Sequence, residues 1–221
     1  MSNNGNNDAF NSNGTEIHDV MFDFCGVLLE LNYRPCLQGR FPQQVVDRLC
    51  ADESDVYGFF AAEARMDAGE DFAVVIKDVE KEYGDKAATM FRYYIEHYDD
   101  ALPKMIDGME QLLTDLRKAG YGVWGLTNWS AETFHFAFEK FPQLERLLQG
   151  TMVSGVEKMH KPNADIFDLA LSRFGLDAGR TVFFDDTQAN VDGAKAVGIK
   201  GIRFRNATDA RNDLRRLGVN I

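Results

Sequence analysis

Two patterns of apolar and polar positions divide the chain. Val20-Met21-Phe22 run into the carboxylate of Asp23, and the apolar run resumes from Phe24 to Leu29. A run this continuous predicts a strand buried on both faces, as in a parallel sheet. Gly26 interrupts it and lets backbone come close to a ligand. Asp23 is therefore expected at the carboxyl end of a central parallel strand, the edge at which open α/β sheets bind ligands. From Asn32 to about Leu102 the apolar spacing turns helical. Helices are expected over Phe41–Cys50, Asp55–Ala64, Phe72–Tyr83 and Lys86–Tyr98, with Val45, Val46 and Leu49 on one buried stripe and Val75, Val79 and Tyr83 on another. The stretch reads as an insert of about four helices. Its aromatics (Phe59, Phe60, Phe72, Phe91, Tyr93, Tyr94, Tyr98) are assigned to its core, with one or two left to face a ligand.

From Pro103 strand and helix alternate again. The spacing predicts helices over Ile106–Lys118, Ala131–Lys140, Gln143–Leu148, Ala164–Phe174, Gln188–Val197 and Thr208–Leu217. Between them it predicts strands over Tyr121–Leu126, Thr151–Val153, Thr181–Phe184 and Gly201–Phe204. Alternation of this kind is the signature of a parallel sheet with helices on both faces.

Composition narrows the partners. A chain of 221 residues suits one α/β domain with a modest insert. The formal net charge of −11 argues against nucleic acid and anionic membrane surfaces, and leaves room for a local cationic pocket that takes a small anion. No apolar run reaches membrane-spanning length and no signal peptide is visible, so a cytoplasmic location is expected. Cys25, Cys36 and Cys50 are odd in number and lack metal-ligand spacing; they read as free thiols in a reducing compartment. His18, His97, His135 and His160 show no ligand spacing either. Residues 1–16, rich in Asn, Gly and Ser, read as a flexible tail.

Three of the expected strands end in polar residues: Asp23, Thr127-Asn128 and Asp185-Asp186. Such termini converge on one edge of the sheet. Carboxylates from two strands make a hard, oxygen-rich cation site that suits Mg²⁺. A lone acid after a strand serves equally as a helix cap, but one cap needs one acid, and the pair repels without a cation. Lys161, in His160-Lys161-Pro162-Asn163 before a helix, is placed to reach a phosphate and the nucleophile together. Thr127 adds a hydroxyl, and the N–H groups beyond it open toward a helix N-terminus, a ready anion site. A carboxylate nucleophile, a divalent cation, a lysine and N–H donors are the requirements for phosphoryl transfer through an aspartyl-phosphate.

In order, and over nearly the whole chain after the tail, four segments resemble the motifs of the haloacid dehalogenase (HAD) superfamily: Phe22-Asp23-Phe24-Cys25-Gly26-Val27-Leu28, Leu126-Thr127-Asn128, Lys161-Pro162 and Phe184-Asp185-Asp186-Thr187-Gln188-Ala189-Asn190. The chain is most similar to the subfamily I phosphatases, which carry a helical cap after the first motif. The resemblance implies an α/β fold with a Rossmann-like parallel sheet in the order 5-4-1-2-3, flanked by helices. It implies a core domain over 17–31 and 103–221 and a helical cap over 32–102. Asp23 is implied as nucleophile and Mg²⁺ ligand, with Lys161 beside it and Thr127, Asn128 and Lys161 around the phosphate. Asp186 is implied as the main fourth-motif Mg²⁺ ligand, with Asp185 auxiliary, and the backbone carbonyl of Cys25 as a further ligand. The implied activity is that of an Mg²⁺-dependent phosphatase whose partner is a small phosphorylated metabolite, with neither nucleic acid nor membrane involved.

Cys25 departs from the pattern. These phosphatases place a second Asp two residues after the nucleophile, where it protonates the leaving group and then deprotonates the attacking water. A thiol is a poor substitute for that acid and base. A preference for esters with acidic leaving groups is the expected consequence. The departure keeps a second reading open, a non-catalytic or weakly catalytic phosphometabolite-binding protein. A third reading is a 2-haloacid dehalogenase using the same Asp, a chemistry that leaves the acid pair unexplained. A cysteine nucleophile would need a His–carboxylate pair that the motifs do not supply.

Overall fold

The computed structural model describes residues 16–51 and 55–221; the expected tail, Glu16 apart, lies outside the described residues. β1 (Asp19–Phe22) leads into α1 (Tyr33–Leu37), α2 (Gln43–Ala51), α3 (Phe59–Asp67), α4 (Phe72–Tyr83), α5 (Asp85–Glu96) and a 3₁₀ turn at Tyr98–Ala101. Then follow α6 (Met109–Lys118), β2 (Gly122–Thr127), α7 (His135–Lys140), α8 (Pro142–Leu147), β3 (Thr151–Val153) and α9 (Ser154–Glu157). The chain closes with α10 (Ala164–Phe174), β4 (Thr181–Asp185), α11 (Gln188–Ala196), β5 (Lys200–Arg203) and α12 (Ala207–Arg216). The five strands form one parallel sheet in the order β3-β2-β1-β4-β5, the expected order with the first strand central.

The apolar run of β1 is explained by burial on both faces. Val20 and Phe22 pack into the larger core with Leu112, Leu116 and Leu214, and Phe22 stacks on Phe184 at 5.5 Å. Met21, pointing the other way, joins Leu126, Phe167, Phe183 and Ala194. In-register pairing of Phe22 with Phe184 and Gly125 brings the ends of β1, β4 and β2 side by side.

The segment 32–102 adds no strand to the sheet among the described residues, as its spacing predicts, but holds five helices rather than about four. The extra one, α1, is five residues long, too short to show a period; the Asn32 side chain caps it by accepting the Arg34 N–H. α3 begins four residues later than expected because Gly58, at φ 64°, breaks the backbone before it, while the Asp55 carboxylate accepts the Phe60 and Ala61 N–H groups. Gly108, at φ 84°, likewise delays α6 to Met109. The helix expected from Ala131 starts at His135, since the Ser130 hydroxyl accepts the Glu132 N–H and holds a turn there.

The segment docks on the carboxyl edge of the sheet. Tyr98 packs on Trp129 at 5.3 Å and on Phe136 at 6.4 Å. The Ser154 hydroxyl donates to the Asp67 carbonyl at 2.5 Å, and Phe72 N–H donates to Glu132. No helix among the described residues is long and apolar enough to cross a membrane. All three cysteines are free.

Candidate active site

Asp23 follows β1 directly, its N–H donating to the Phe184 carbonyl at 2.9 Å, so it stands beside Asp185 at the end of β4. It is 7% exposed, and its Oδ1 accepts the Phe24 N–H at 2.7 Å. Lys161, 3% exposed, enters between the two acids, with Nζ 2.8 Å from Asp23 Oδ1 and 2.6 Å from Asp185 Oδ2. Buried charges persist only when paired and hydrogen-bonded, and this ammonium satisfies that condition twice. Burial, reinforced by Asp185, pushes the Asp23 carboxyl up to about 7 against the opposing pull of Lys161. The charges of Asp23 and Asp185 hold Lys161 above the usual lysine range even though its burial opposes this.

The fourth-motif acids are unlike in their surroundings. Asp185 is fully buried, and both its oxygens are taken: Oδ1 by the Thr187 N–H at 2.8 Å, Oδ2 by Lys161, and both by the Asn190 amide at 3.1 Å. Asp186 is exposed, and the hydrogen bond its carboxylate accepts is a long one from the Thr187 hydroxyl at 3.4 Å. Asp23, Asp185 and Asp186 each bring a carboxylate oxygen within 4.8 Å of the others. Three carboxylates thus face one ammonium, a surplus that a divalent cation would cancel, and the donors are the hard oxygens such a cation takes. Gly26 makes room for the approach: at φ 83°, a Cβ there would lie 2.7 Å from Asp186 Cγ. Asp23 and Asp186 could therefore hold a cation, with Asp185 spent on orienting Lys161. The Cys25 carbonyl belongs to the same turn and offers a main-chain oxygen whatever the side chain. Gly26→Ala is expected to cost about 1–2 kcal/mol from the backbone alone and to displace Asp186. Thermal unfolding and a cation titration would read the two effects separately.

Motif two is built differently from its expectation. Thr127 ends β2, is buried, and keeps a hydroxyl at the edge. The Asn128 side chain clamps the third motif instead of standing free: its amide donates to the Lys161 carbonyl at 3.0 Å and its Oδ1 accepts the Lys161 N–H at 2.9 Å. It thereby sets the path from which Lys161 reaches Asp23. The N–H groups beyond it are largely spent within the protein. Trp129 N–H donates to the Ser154 hydroxyl at 2.9 Å, and Ser130 N–H to the Asp67 carboxyl. The anion site expected at a helix N-terminus here is accordingly reduced, because the chain turns at Ala131–Phe134 before α7 starts.

The Cys25 thiol is pushed well above the usual range by burial and by the charges of Asp23, Glu63 and Asp67. A shift in that direction favours the neutral thiol, which is a weaker nucleophile and base than the thiolate. Glu63 and Asp67 were not legible as site residues in the sequence. The periodicity ended the helix at Ala64, before Asp67, so their four-residue spacing on one face went unseen. Asn190 stood in the fourth motif without a role; its partner, Asp185, shows what it does.

The sequence pattern described as haloacid dehalogenase-like hydrolase matches residues 20–204. Over 109 residues the chain is 32% identical to a sesquiterpene phosphatase of Aspergillus oryzae, a match that covers 49% of this chain and 55% of that one. It is 28% identical over 116 residues to a flavin mononucleotide hydrolase of Arabidopsis thaliana, covering 52% and 46% respectively. The chain thus spans about half the length of these relatives. Its fold is that of the HAD family enzyme bt-2542 from Bacteroides thetaiotaomicron, solved in complex with magnesium and inorganic phosphate (TM-score 0.67, 21% identity, 86% of this chain and 95% of that one).

Proposed function

The chain belongs to the haloacid dehalogenase-like hydrolase family, and from that premise we propose that it is an Mg²⁺-dependent phosphatase of small phosphorylated metabolites that acts through an aspartyl-phosphate on Asp23. The observation that carries the reading is the Lys161 ammonium wedged between Asp23 and Asp185 while Asp186, exposed beside them, accepts a long hydrogen bond from Thr187 and has no ammonium partner among the described residues. A metal-free displacement of halide has no use for that third acid. One relative is a phosphatase by name and the other a hydrolase of a mononucleotide, and bt-2542 was solved with magnesium and inorganic phosphate on the same fold.

In this reading Asp23, Asp186 and the Cys25 carbonyl would hold Mg²⁺, which would offset charge on the phosphate. Asp23 attacks phosphorus with the oxygen that Phe24 and Lys161 do not occupy. Lys161 orients the nucleophile and draws the phosphate oxygens toward it, and Thr127 supplies a hydroxyl donor. The segment 32–102 serves as the cap: it sits over the edge that carries Asp23, excludes water and bears the residues that select the substrate. Three free cysteines suit a reducing, cytoplasmic setting.

A panel of phosphorylated metabolites assayed with Mg²⁺ and with chelator tests the reading. Turnover that survives chelation, or halide release from 2-haloacids in its place, would overturn it; phosphate binding without turnover would favour the binding protein suggested by Cys25. Within this reading the two fourth-motif acids are expected to fail differently. Asp186→Ala should raise the Mg²⁺ concentration for half-maximal activity more than about tenfold, beyond about 1.4 kcal/mol of binding. Asp185→Ala, which leaves Lys161 with Asp23 alone and removes the acceptor of the Asn190 amide and the Thr187 N–H, should appear first as a fall in Tm. Equal Mg²⁺ requirements in the two variants would contradict the assignment.

A further inference from the structure

Cys25 leaves the first loop without the carboxyl that would move protons, and the fold docks another carboxyl against the loop that follows Thr127. α3 presents Glu63 and Asp67 four residues apart, hence on one face. Glu63 is fixed by two tyrosine hydroxyls, Tyr33 at 3.0 Å and Tyr94 at 2.5 Å. Asp67 is fixed at both ends of the residue. Its carbonyl accepts the Ser154 hydroxyl, and its carboxyl accepts the N–H of Ser130, three residues beyond Thr127. The docking leaves little play: a Cβ on Gly69 would lie 2.9 Å from the Gly155 carbonyl, and one on Gly155 would lie 2.6 Å from the Ala131 nitrogen. Asp23 and Lys161 are among the charges that act on the Asp67 carboxyl, and Asp67 among those that act on the Cys25 thiol. Asp67 stands outside the cluster of Asp23, Asp185 and Asp186.

Resting on the phosphatase reading, we propose that Asp67, carried in on α3, is the general acid and base of this site in place of the carboxyl that Cys25 lacks. In the first step the bond from Asp23 to phosphorus forms as the bond to the leaving oxygen breaks, and the Asp67 proton passes to that oxygen, releasing an alcohol. In the second, the Asp67 carboxylate takes a proton from the attacking water. The new oxygen–phosphorus bond forms, the Asp23–phosphorus bond breaks, and inorganic phosphate leaves. Asp67 ends with its proton restored and Asp23 as the carboxylate. The role requires a neutral acid at the start. Two ionised carboxylates on one helix face repel, so the Glu63–Asp67 pair favours keeping a proton. Burial, then the Glu63 charge, pushes Asp67 up to about 8, near the operating pH that suits such a catalyst.

The test uses the full chain with Mg²⁺ and para-substituted aryl phosphates alongside benzyl phosphate, which differ in leaving-group acidity and little in shape. Wild type should show weak dependence on leaving-group acidity. Asp67→Asn keeps an acceptor for the Ser130 N–H. It should lose about 10²–10⁴-fold on benzyl phosphate and much less in the first step with p-nitrophenyl phosphate, giving a burst of one nitrophenol per chain before slow phosphate release. Adding Cys25→Asp should restore benzyl phosphate turnover. Equal losses on both substrates without a burst, or benzyl phosphate turnover unchanged in Asp67→Asn, would overturn the assignment while leaving the phosphatase reading standing. A wild type that hydrolyses no phosphate ester would overturn that reading itself. If Asp67→Asn loses its cooperative thermal transition, Cys25→Asp alone decides. A gain below about threefold on benzyl phosphate shows the position already served, and a gain above about tenfold shows it vacant.

Discussion

Asp23→Asn is expected to fold like the wild type and to lose turnover by on the order of 10⁴-fold or more, the scale seen when a nucleophile is removed from a site that otherwise remains intact. The amide Oδ1 can still accept the Phe24 N–H and face Lys161, so the contacts that position the loop survive. What is lost is the charge that attacks phosphorus. Stability should hold or rise slightly, because burial already disfavours the ionised form of Asp23 and pushes its carboxyl up to about 7. A single-turnover assay with a radiolabelled ester should find no acid-stable phosphoryl group on the variant. Activity near wild type in purified Asp23→Asn protein would remove Asp23 from the mechanism.

Lys161→Met is the second large effect, and it should reach both activity and stability. Lys161 is the cation that partners Asp23 and Asp185 below the surface. Removing it leaves two buried carboxylates facing one another, a loss of about 3–5 kcal/mol by the usual cost of breaking a buried pair. The sign of the pH dependence follows. Asp23 already binds its proton more tightly in the folded chain than an unfolded Asp does, and losing Lys161 raises it further. The folded variant then binds more protons than the unfolded one across neutral pH, so its stability falls as pH rises and recovers as pH is lowered. Urea unfolding at pH 5.5 and pH 8 should show a deficit against wild type that is smaller at the lower pH. A pH-independent deficit would mean that what matters is packing of the lysine stem together with the contact of its ammonium with the Phe183 ring, whose centroid lies 5.3 Å from Nζ.

Most of the residues that the sequence made visible share a physical property. Asp23, Thr127 and the Asp185-Asp186 pair each end a run so apolar that a polar residue there stands out, whereas Lys161, in the polar stretch His160-Lys161-Pro162-Asn163, was legible through the family pattern. In a parallel sheet those ends are forced together whatever the loops do. Asn128 was legible as a site residue, but its actual work, holding the Lys161 backbone, depends on a contact across 33 residues. The difference between Asp185 and Asp186 was likewise invisible as a burial difference, since adjacent residues after a strand point to opposite sides and only packing determines which side is closed.

Periodicity alone determined the strand–helix alternation, the helical character of the insert and the identity of the residues at the sheet edge, because each rests on spacing within a dozen positions. The family pattern in the same residues carried the strand order. Tertiary structure alone decided that α3 runs on to Asp67, that Asp67 docks against the segments carrying Ser130 and Ser154, and that the loop after β2 gives its N–H groups to Ser154 and Asp67 rather than leaving them free. Those outcomes come from docking one surface on another across 63 residues between Asp67 and Ser130 in one case and 87 between Asp67 and Ser154 in the other. Such contacts are chosen by shape and by the need to pair every buried polar group, and neither leaves a periodic trace along the chain.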